Sequence, residues 1–174
     1  RSPQSHAGVI HSSNLCTEVM LYSSSTSYAT CTLASINLRK FLVQNTDERF
    51  PGLKLMIDHN KLFEIVRMIT RNLDTVIDIN QYPVEECVAN AHNYRPIGIG
   101  VQALADVFAL MRIPFCGQEA ATIDLEIFET IYYAAVTESC ELAKTRGKYT
   151  EFDNSPASHG QLSPDMWAVN QKRI

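Results

Sequence analysis

Three residue types that together can do chemistry stand at alternating positions in Asn14-Leu15-Cys16-Thr17-Glu18. A second cysteine follows in Ala29-Thr30-Cys31-Thr32-Leu33-Ala34-Ser35. In an extended segment, residues i, i+2 and i+4 point to one side, about 6.5–7 Å apart. Such a segment would aim an amide, a thiol and a carboxylate at one small ligand. The amide orients it by hydrogen bonds, the sulfur supplies one-electron or nucleophilic chemistry, and the carboxylate accepts a proton. The same residues also describe a small buried thiol between two polar neighbours, and Cys31 reads equally as a buried strand cysteine.

The elements that must position these groups are read from periodicity and punctuation. Residues 1–13 are polar and irregular and read as loop. Residues 15–22 contain Val19, Met20, Leu21 and Tyr22 and favour extended structure. Ser23-Ser24-Ser25-Thr26-Ser27 is a polar connection, after which 28–33 read as a strand ending in a turn at Ala34-Ser35. Two such strands would bring Cys16 and Cys31 into one neighbourhood. Asn45 to Asp58 reads as loop around Pro51-Gly52.

Leu62, Ile65, Val66, Ile69, Leu73, Val76 and Ile77 form one apolar stripe at helical spacing. Asp58 or Asn60 caps the start of that helix, and Pro83 stops it near Asn80. A short helix opened by Pro83 runs to about Ala91. Arg95 to Val101 reads as a buried strand, its two glycines marking close approach of another backbone or a ligand. Ala103 to Met111 and Glu119 to Thr145 read as helices, the second stopped by Gly147. Residues 151–174 are mostly loop. This alternation argues for an α/β layout with crossover helices.

Composition narrows the function class. The chain has 174 residues, 45% hydrophobic and 20% charged, which is globular rather than disordered. A net charge of -4 without a basic run argues against nucleic-acid binding. The five cysteines (Cys16, Cys31, Cys87, Cys116, Cys140) show no zinc-ligand spacing and fit a reducing, cytoplasmic setting. No metal site is expected, and no apolar stretch has membrane-span length. Cys87, Cys116 and Cys140 read as structural. His6, His11, His59, His92 and His159 form no paired motif and read as solvated loop residues. Gly98-Ile99-Gly100 lacks the acidic partner of a dinucleotide fingerprint. Tyr132-Tyr133 reads as one core and one interfacial aromatic. Arg1 in place of Met, and an end at Ile174 without a tail, give the expectation of a piece cut from a longer chain.

Longer blocks then carry a resemblance. Ser13 to Glu18 and Cys31-x-Leu33-Ala34-Ser35 are followed by Arg71-Asn72-Leu73, Asp78-Ile79-Asn80 and Tyr82-Pro83-Val84. Arg95 to Gln102, Leu104-Ala105-Asp106, Ile127 to Tyr133, Ser155-Pro156 and Asp165-Met166-Trp167 complete the series. In this order the blocks resemble the large, catalytic subunit of class I ribonucleotide reductase, of the eukaryotic and viral style, across about residues 12–168. The chain departs from that pattern at Thr32, where Asn is expected, at Ala103, where Gly is expected, and at Ser12, where a cysteine often stands.

The resemblance implies an α/β fold, part of a ten-stranded α/β barrel with a central finger loop. Residues 1–35 would be the finger loop and redox-cysteine strand, and 58–174 the helices and strand of the barrel. It implies an oxidoreductase that reduces ribonucleoside diphosphates to deoxyribonucleotides for DNA synthesis. Cys16 would be the thiyl-radical position, Glu18 the base and Asn14 a hydrogen bond to substrate. Cys31 would be half of the dithiol that becomes a disulfide in each turnover. The implied partners are a metal-containing small subunit that supplies the radical, thioredoxin or glutaredoxin, and further large subunits in a homodimer or higher oligomer. ATP and dNTP effectors would bind outside this stretch, which needs no cofactor of its own.

The second dithiol cysteine, the phosphate-binding loop, the relay tyrosines and the C-terminal cysteine pair would also lie elsewhere. The stretch alone is therefore expected to be inactive, and, because it exposes sheet edges and helix faces, poorly soluble or partly molten. A catalytically silent relative acting through protein contacts is the alternative. Retention of all four groups argues against it. A thiol hydrolase lacks a histidine partner.

Overall fold

The apolar stripe that begins at Leu62 forms the helix α1, His59–Ile79. Asp58 caps it: its Oδ1 accepts a hydrogen bond from Lys61 N–H at 2.9 Å. The computed structural model describes residues 2–15, 17 and 19–166. Its remaining elements are the strands β1 (Thr32–Asn37), β2 (Leu42–Gln44), β3 (Leu55–Ile57) and β4 (Ile97–Gln102), and the helices α2 (Glu85–Tyr94), α3 (Leu104–Met111), α4 (Gln118–Arg146) and α5 (Ser163–Met166). Single 3-10 turns occupy Leu38–Phe41 and Pro156–His159. Helices dominate, and the strands form two separate pairs, β1 with β4 and β2 with β3. Among the described residues no helix is long and apolar enough to cross a membrane.

The chain divides into two compact units. One comprises Ala34–Asn72 and Ile99–Thr145. Its core is apolar: Leu62 and Val66 of α1, Val107 of α3, and Ile123 and Ile127 of α4 are fully sealed from solvent, with Leu38, Phe41 and Met56 around them. β2 and β3 are antiparallel, pairing Leu42 with Ile57 and Gln44 with Leu55. The loop reading of Asn45 to Asp58 is thereby corrected. Leu55-Met56-Ile57 is a strand, and the turn before it is held by Asn45, whose Nδ2 donates to Phe50 O at 2.8 Å and Leu53 O at 2.9 Å. Glu138 of α4, at 1% exposure, is neutralised by Arg67 (2.9 Å) and Arg71 (2.6 Å) of α1. A carboxylate so buried requires such partners.

A second correction concerns Ala34-Ser35, which lies inside β1 rather than in a turn. Small residues do not force a turn. Ala34 O lies 3.9 Å from the position a Cβ would take on Gly100 of β4, so the small side chains serve strand approach. The departure at Ala103 also gains a physical meaning. Ala103 precedes α3 with φ 64 and ψ 26, a left-handed conformation that glycine adopts without steric cost and alanine does not. His59, expected in a solvated loop, is instead the first residue of α1. Its Nδ1 lies 2.7 Å from Thr130 Oγ1. Because Thr130 Oγ1 donates its one proton to Glu126 O at 2.8 Å, the His59 nitrogen is the donor in that pair.

The other unit comprises Arg1–Leu33, Leu73–Gly98 and Arg146–Ile174. Its regular structure is the end of α1, α2 and the short C-terminal turns. α2 closes on Arg95, a non-glycine residue at φ 46 whose N–H donates to Ala91 O. Arg95 is held in that conformation by its side chain: Nε donates to Asp74 Oδ1 at 2.7 Å, and Nη1 to Asp78 Oδ1 at 2.6 Å. Arg146 joins the cluster through Asp74. The hydrogen bonds from Arg95 hold the Asp78 carboxyl below the usual carboxylate range, and the two carboxylates raise Arg95. Gly147 follows α4 at φ 84, as its role as a stop requires.

Candidate functional site

Among the described residues, the segment that carries the candidate groups has no regular secondary structure before Thr32 apart from one bridge between Ser24 and Ser27. Individual polar side chains shape it. Asn14 is half-buried; its Oδ1 accepts from Val19 N–H at 3.1 Å, and its main-chain oxygen accepts from Thr17 N–H at 3.2 Å. Thr17 has φ 62. The extended run expected over 15–22 is therefore interrupted at Thr17. A side-chain oxygen that captures a main-chain N–H competes with extended pairing, which is why an Asn-headed segment turns. Leu15 is 99% exposed, so the turn presents its apolar tip outward. Cys16 and Glu18 lie outside the described residues.

The segment is anchored on both sides of this turn. Ser2, fully buried, donates from Oγ to Met20 O and accepts from Gln4 N–H at 3.1 Å. Gln4, also buried, accepts from Tyr22 N–H through Oε1 at 2.8 Å. A Cβ on Gly8, at φ 151, would stand 2.4 Å from Tyr22 Cε2, so no larger residue fits while that ring keeps its place. Residues 2–13 form loop as expected, and Ser2 and Gln4 among them hold Met20 and Tyr22 in place.

Beyond Tyr22 the chain is fastened to α2. Tyr28 N–H donates to Glu86 O at 3.3 Å, and Thr30 N–H to Asn90 Oδ1 at 3.3 Å. Thr32 N–H then donates to Pro96 O at 3.4 Å. Cys31 sits between these fastenings, half-buried, its Sγ 3.8 Å from Thr32 O. It is not within a strand, as had been expected; β1 begins one residue later. Asn14 and Cys31 belong to the same compact unit.

The remaining cysteines and tyrosines fall as follows. Cys87 is buried in α2, while Cys116 and Cys140 are exposed. Tyr132 is half-buried, and Tyr133 is 65% exposed with its ring 5.6 Å from that of Phe63. Among the described residues, no three His, Cys, Asp or Glu side chains are placed to hold a metal ion. Sequence reasoning missed Ser2, Gln4, Gly8 and Asn90. Asn90 had a readable signal. It falls on the buried face of α2 with Cys87 and Ala91, where a polar side chain must find partners.

Comparison with known proteins adds a second line of evidence. The family model described as "Ribonucleotide reductase, barrel domain" matches residues 1–173. The ribonucleoside-diphosphate reductase large subunit of Dictyostelium discoideum is 51% identical over 169 residues, covering 97% of this chain and 19% of the relative. That of Caenorhabditis elegans is 48% identical over 169 residues, covering 97% and 20%. The vaccinia virus large subunit is 45% identical over 169 residues, covering 97% and 21%. The chain thus spans about a fifth of the length of these relatives. With the family matched along almost its whole length, this chain belongs to the ribonucleotide reductase barrel-domain family.

Proposed function

We propose that this chain carries the radical-bearing and reducing cysteines of a ribonucleoside-diphosphate reductase large subunit. The observation that supports this most is identity of 48–51% over 169 residues, 97% of this chain, with ribonucleoside-diphosphate reductase large subunits. In the intact subunit the stretch is part of a ten-stranded α/β barrel, and the turn headed by Asn14 is the tip of its finger loop.

A sulfur-centred radical on Cys16 takes the 3′ hydrogen atom of the ribonucleotide. A thiol suits this step because its S–H bond is weak enough to return the hydrogen at the end. Glu18 removes the 3′-hydroxyl proton while the 2′-hydroxyl, taking one of the two protons that the reducing dithiol supplies, leaves as water. Asn14 uses its Nδ2 donor toward the substrate oxygen, since Oδ1 accepts from Val19 N–H. Cys31 and a second cysteine elsewhere in the subunit supply two electrons and two protons and become a disulfide. Thioredoxin or glutaredoxin restores the dithiol. These steps depend on reacting groups held close together, which the anchoring by Ser2, Gln4 and Asn90 favours. The radical originates on a metal-containing small subunit, ATP and dNTP effectors act elsewhere on the large subunit, and the enzyme works in the cytoplasm. This stretch has no turnover by itself.

Cys16→Ser in the full-length subunit, assayed with the small subunit and thioredoxin, tests the reading. Reduction of ribonucleoside diphosphate falls to background, while equilibrium binding of the substrate stays within about twofold, as for a group that acts in the chemical step. Turnover at the parent rate would refute the assignment of Cys16.

A further inference from the structure

The fastening of the candidate segment to α2 converges on one side chain. Asn90 is fully buried. Its Oδ1 accepts from Thr30 N–H at 3.3 Å. Its Nδ2 donates to Ser27 Oγ at 2.9 Å and approaches Tyr22 O at 3.5 Å. The three partners span the segment between the Asn14 turn and Cys31: Tyr22 leads in, Ser27 closes the Ser24–Ser27 bridge, and Thr30 is the residue before the thiol.

We propose that Asn90 is a positioning residue that sets where Cys31 presents its thiol. The inference deepens the proposed function and rests on it for the catalytic consequence alone. Among its described residues the segment has no ladder beyond the Ser24–Ser27 bridge, so its path is set by tertiary hydrogen bonds. A carboxamide is suited to the task because it offers donor and acceptor from one planar group. Aspartate has the same shape but no donor and would bring a buried charge. Leucine fills a similar volume and offers neither bond. Tyr28 N–H to Glu86 O and Thr32 N–H to Pro96 O flank the Asn90 contacts and use main-chain carbonyls, which no substitution removes. Asn90 is therefore the side chain of α2 that ties down Ser27 and Thr30, while Gln4 holds Tyr22 and Ser23 holds Ala29.

The test uses the full-length subunit with Asn90→Leu, Asn90→Asp and Ser27→Ala. The first readout is the rate at which iodoacetamide alkylates Cys31, followed by peptide mass spectrometry, with the exposed Cys116 and Cys140 as internal references. The second is kcat and KM for ribonucleoside diphosphate with the small subunit and thioredoxin. Cys31 alkylation is expected to change by about fivefold or more in both Asn90 variants, the size that loss of a neutral hydrogen bond produces. Cys116 and Cys140 keep their rates. kcat falls by about tenfold while KM stays within about twofold, because the displaced group acts after substrate is bound.

If Asn90 only fills space, Asn90→Leu leaves both the Cys31 rate and kcat at parent values, and the proposal is overturned. Should either Asn90 variant fail to fold, Ser27→Ala decides. It removes one acceptor from the half-buried side of the network, and an unchanged Cys31 rate in that variant equally overturns the proposal. Alkylation reports position whatever Cys31 does chemically. Cys31→Ser that retained full thioredoxin-dependent turnover would defeat the redox reading and leave the positional result standing.

Discussion

In the unit of Ala34–Asn72 and Ile99–Thr145, the side chains sealed from solvent are mostly aliphatic: Leu62, Val66, Val107, Ile123 and Ile127. In the unit that contains residues 2–31, Ser2, Asn90 and Ser155 are fully buried beside Ile77, with Gln4 nearly so. The first arrangement spreads its stabilisation over many non-directional contacts. The second relies on single hydrogen bonds, each between a named donor and a named acceptor. Apolar packing tolerates a change of partner of similar volume. A buried carboxamide or hydroxyl that loses its partner leaves an unsatisfied group and a displaced chain. Asn14 and Cys31 belong to the second kind of structure, where a stretch whose described residues form no strand or helix can be held at a defined place.

The contrast can be broken from the apolar side first. Leu62→Ala opens a void at a fully buried position and should lower stability by about 3–4 kcal/mol. Thermal melting of the intact subunit should show the loss, while Cys31 alkylation in the folded protein stays at the parent rate. A changed Cys31 rate would show that the two kinds of structure are not separable. Gly8→Ala acts from the polar side. It drives a Cβ into the Tyr22 ring and should cost about 1–3 kcal/mol, concentrated in the segment. Hydrogen exchange should quicken over residues 2–31 with little change in the α1 and α4 amides. Uniform quickening across both units would contradict the assignment of Gly8 to local anchoring. The smallest effect sharpens the comparison by reversing sign. Ala103→Gly relieves a left-handed alanine and should raise stability by about 1 kcal/mol, read as a higher melting temperature with activity unchanged. A lower melting temperature would mean that the Ala103 methyl contributes more by packing than its backbone strain costs.

The same division explains which parts of the molecule could be read from its residues. α1 was legible because Leu62, Val66, Leu73 and Ile77 repeat at the helical period, and because Asp58 and Pro83 punctuate its ends. Gly147 marked the end of α4 for the same reason. β3 was missed because three apolar residues are too short a run to show a period, and Pro51-Gly52 drew the whole stretch into a loop. Ala34-Ser35 read as a turn from composition, whereas its place in β1 depends on β4, over sixty residues away in the chain. The polar anchors left still less trace. Ser2 reaches Met20 and Asn90 reaches Thr30, partners 18 and 60 positions distant, and no local pattern encodes such pairs. The family was legible through the order of whole blocks, and it is that resemblance which singles out Asn14, Cys16, Glu18 and Cys31 as candidates. The turn that Asn14 makes was not, because its spacing suggested an extended segment. Several of those blocks prove to be structural. Asp78 holds Arg95, Arg71 neutralises Glu138, and Ser155 caps the 3-10 turn that follows it.

The role proposed for Cys31 is half of a reducing pair held in place by the polar scaffold. The most direct test is a single turnover of the pre-reduced full-length subunit with small subunit and ribonucleoside diphosphate, without thioredoxin. The reaction is quenched with iodoacetamide, and the cysteine peptides are mapped. The account predicts that Cys31 becomes resistant to alkylation in step with deoxyribonucleotide formed and is recovered in a disulfide, while Cys87, Cys116 and Cys140 do not change. Product formation with Cys31 still fully reduced and alkylatable would contradict it.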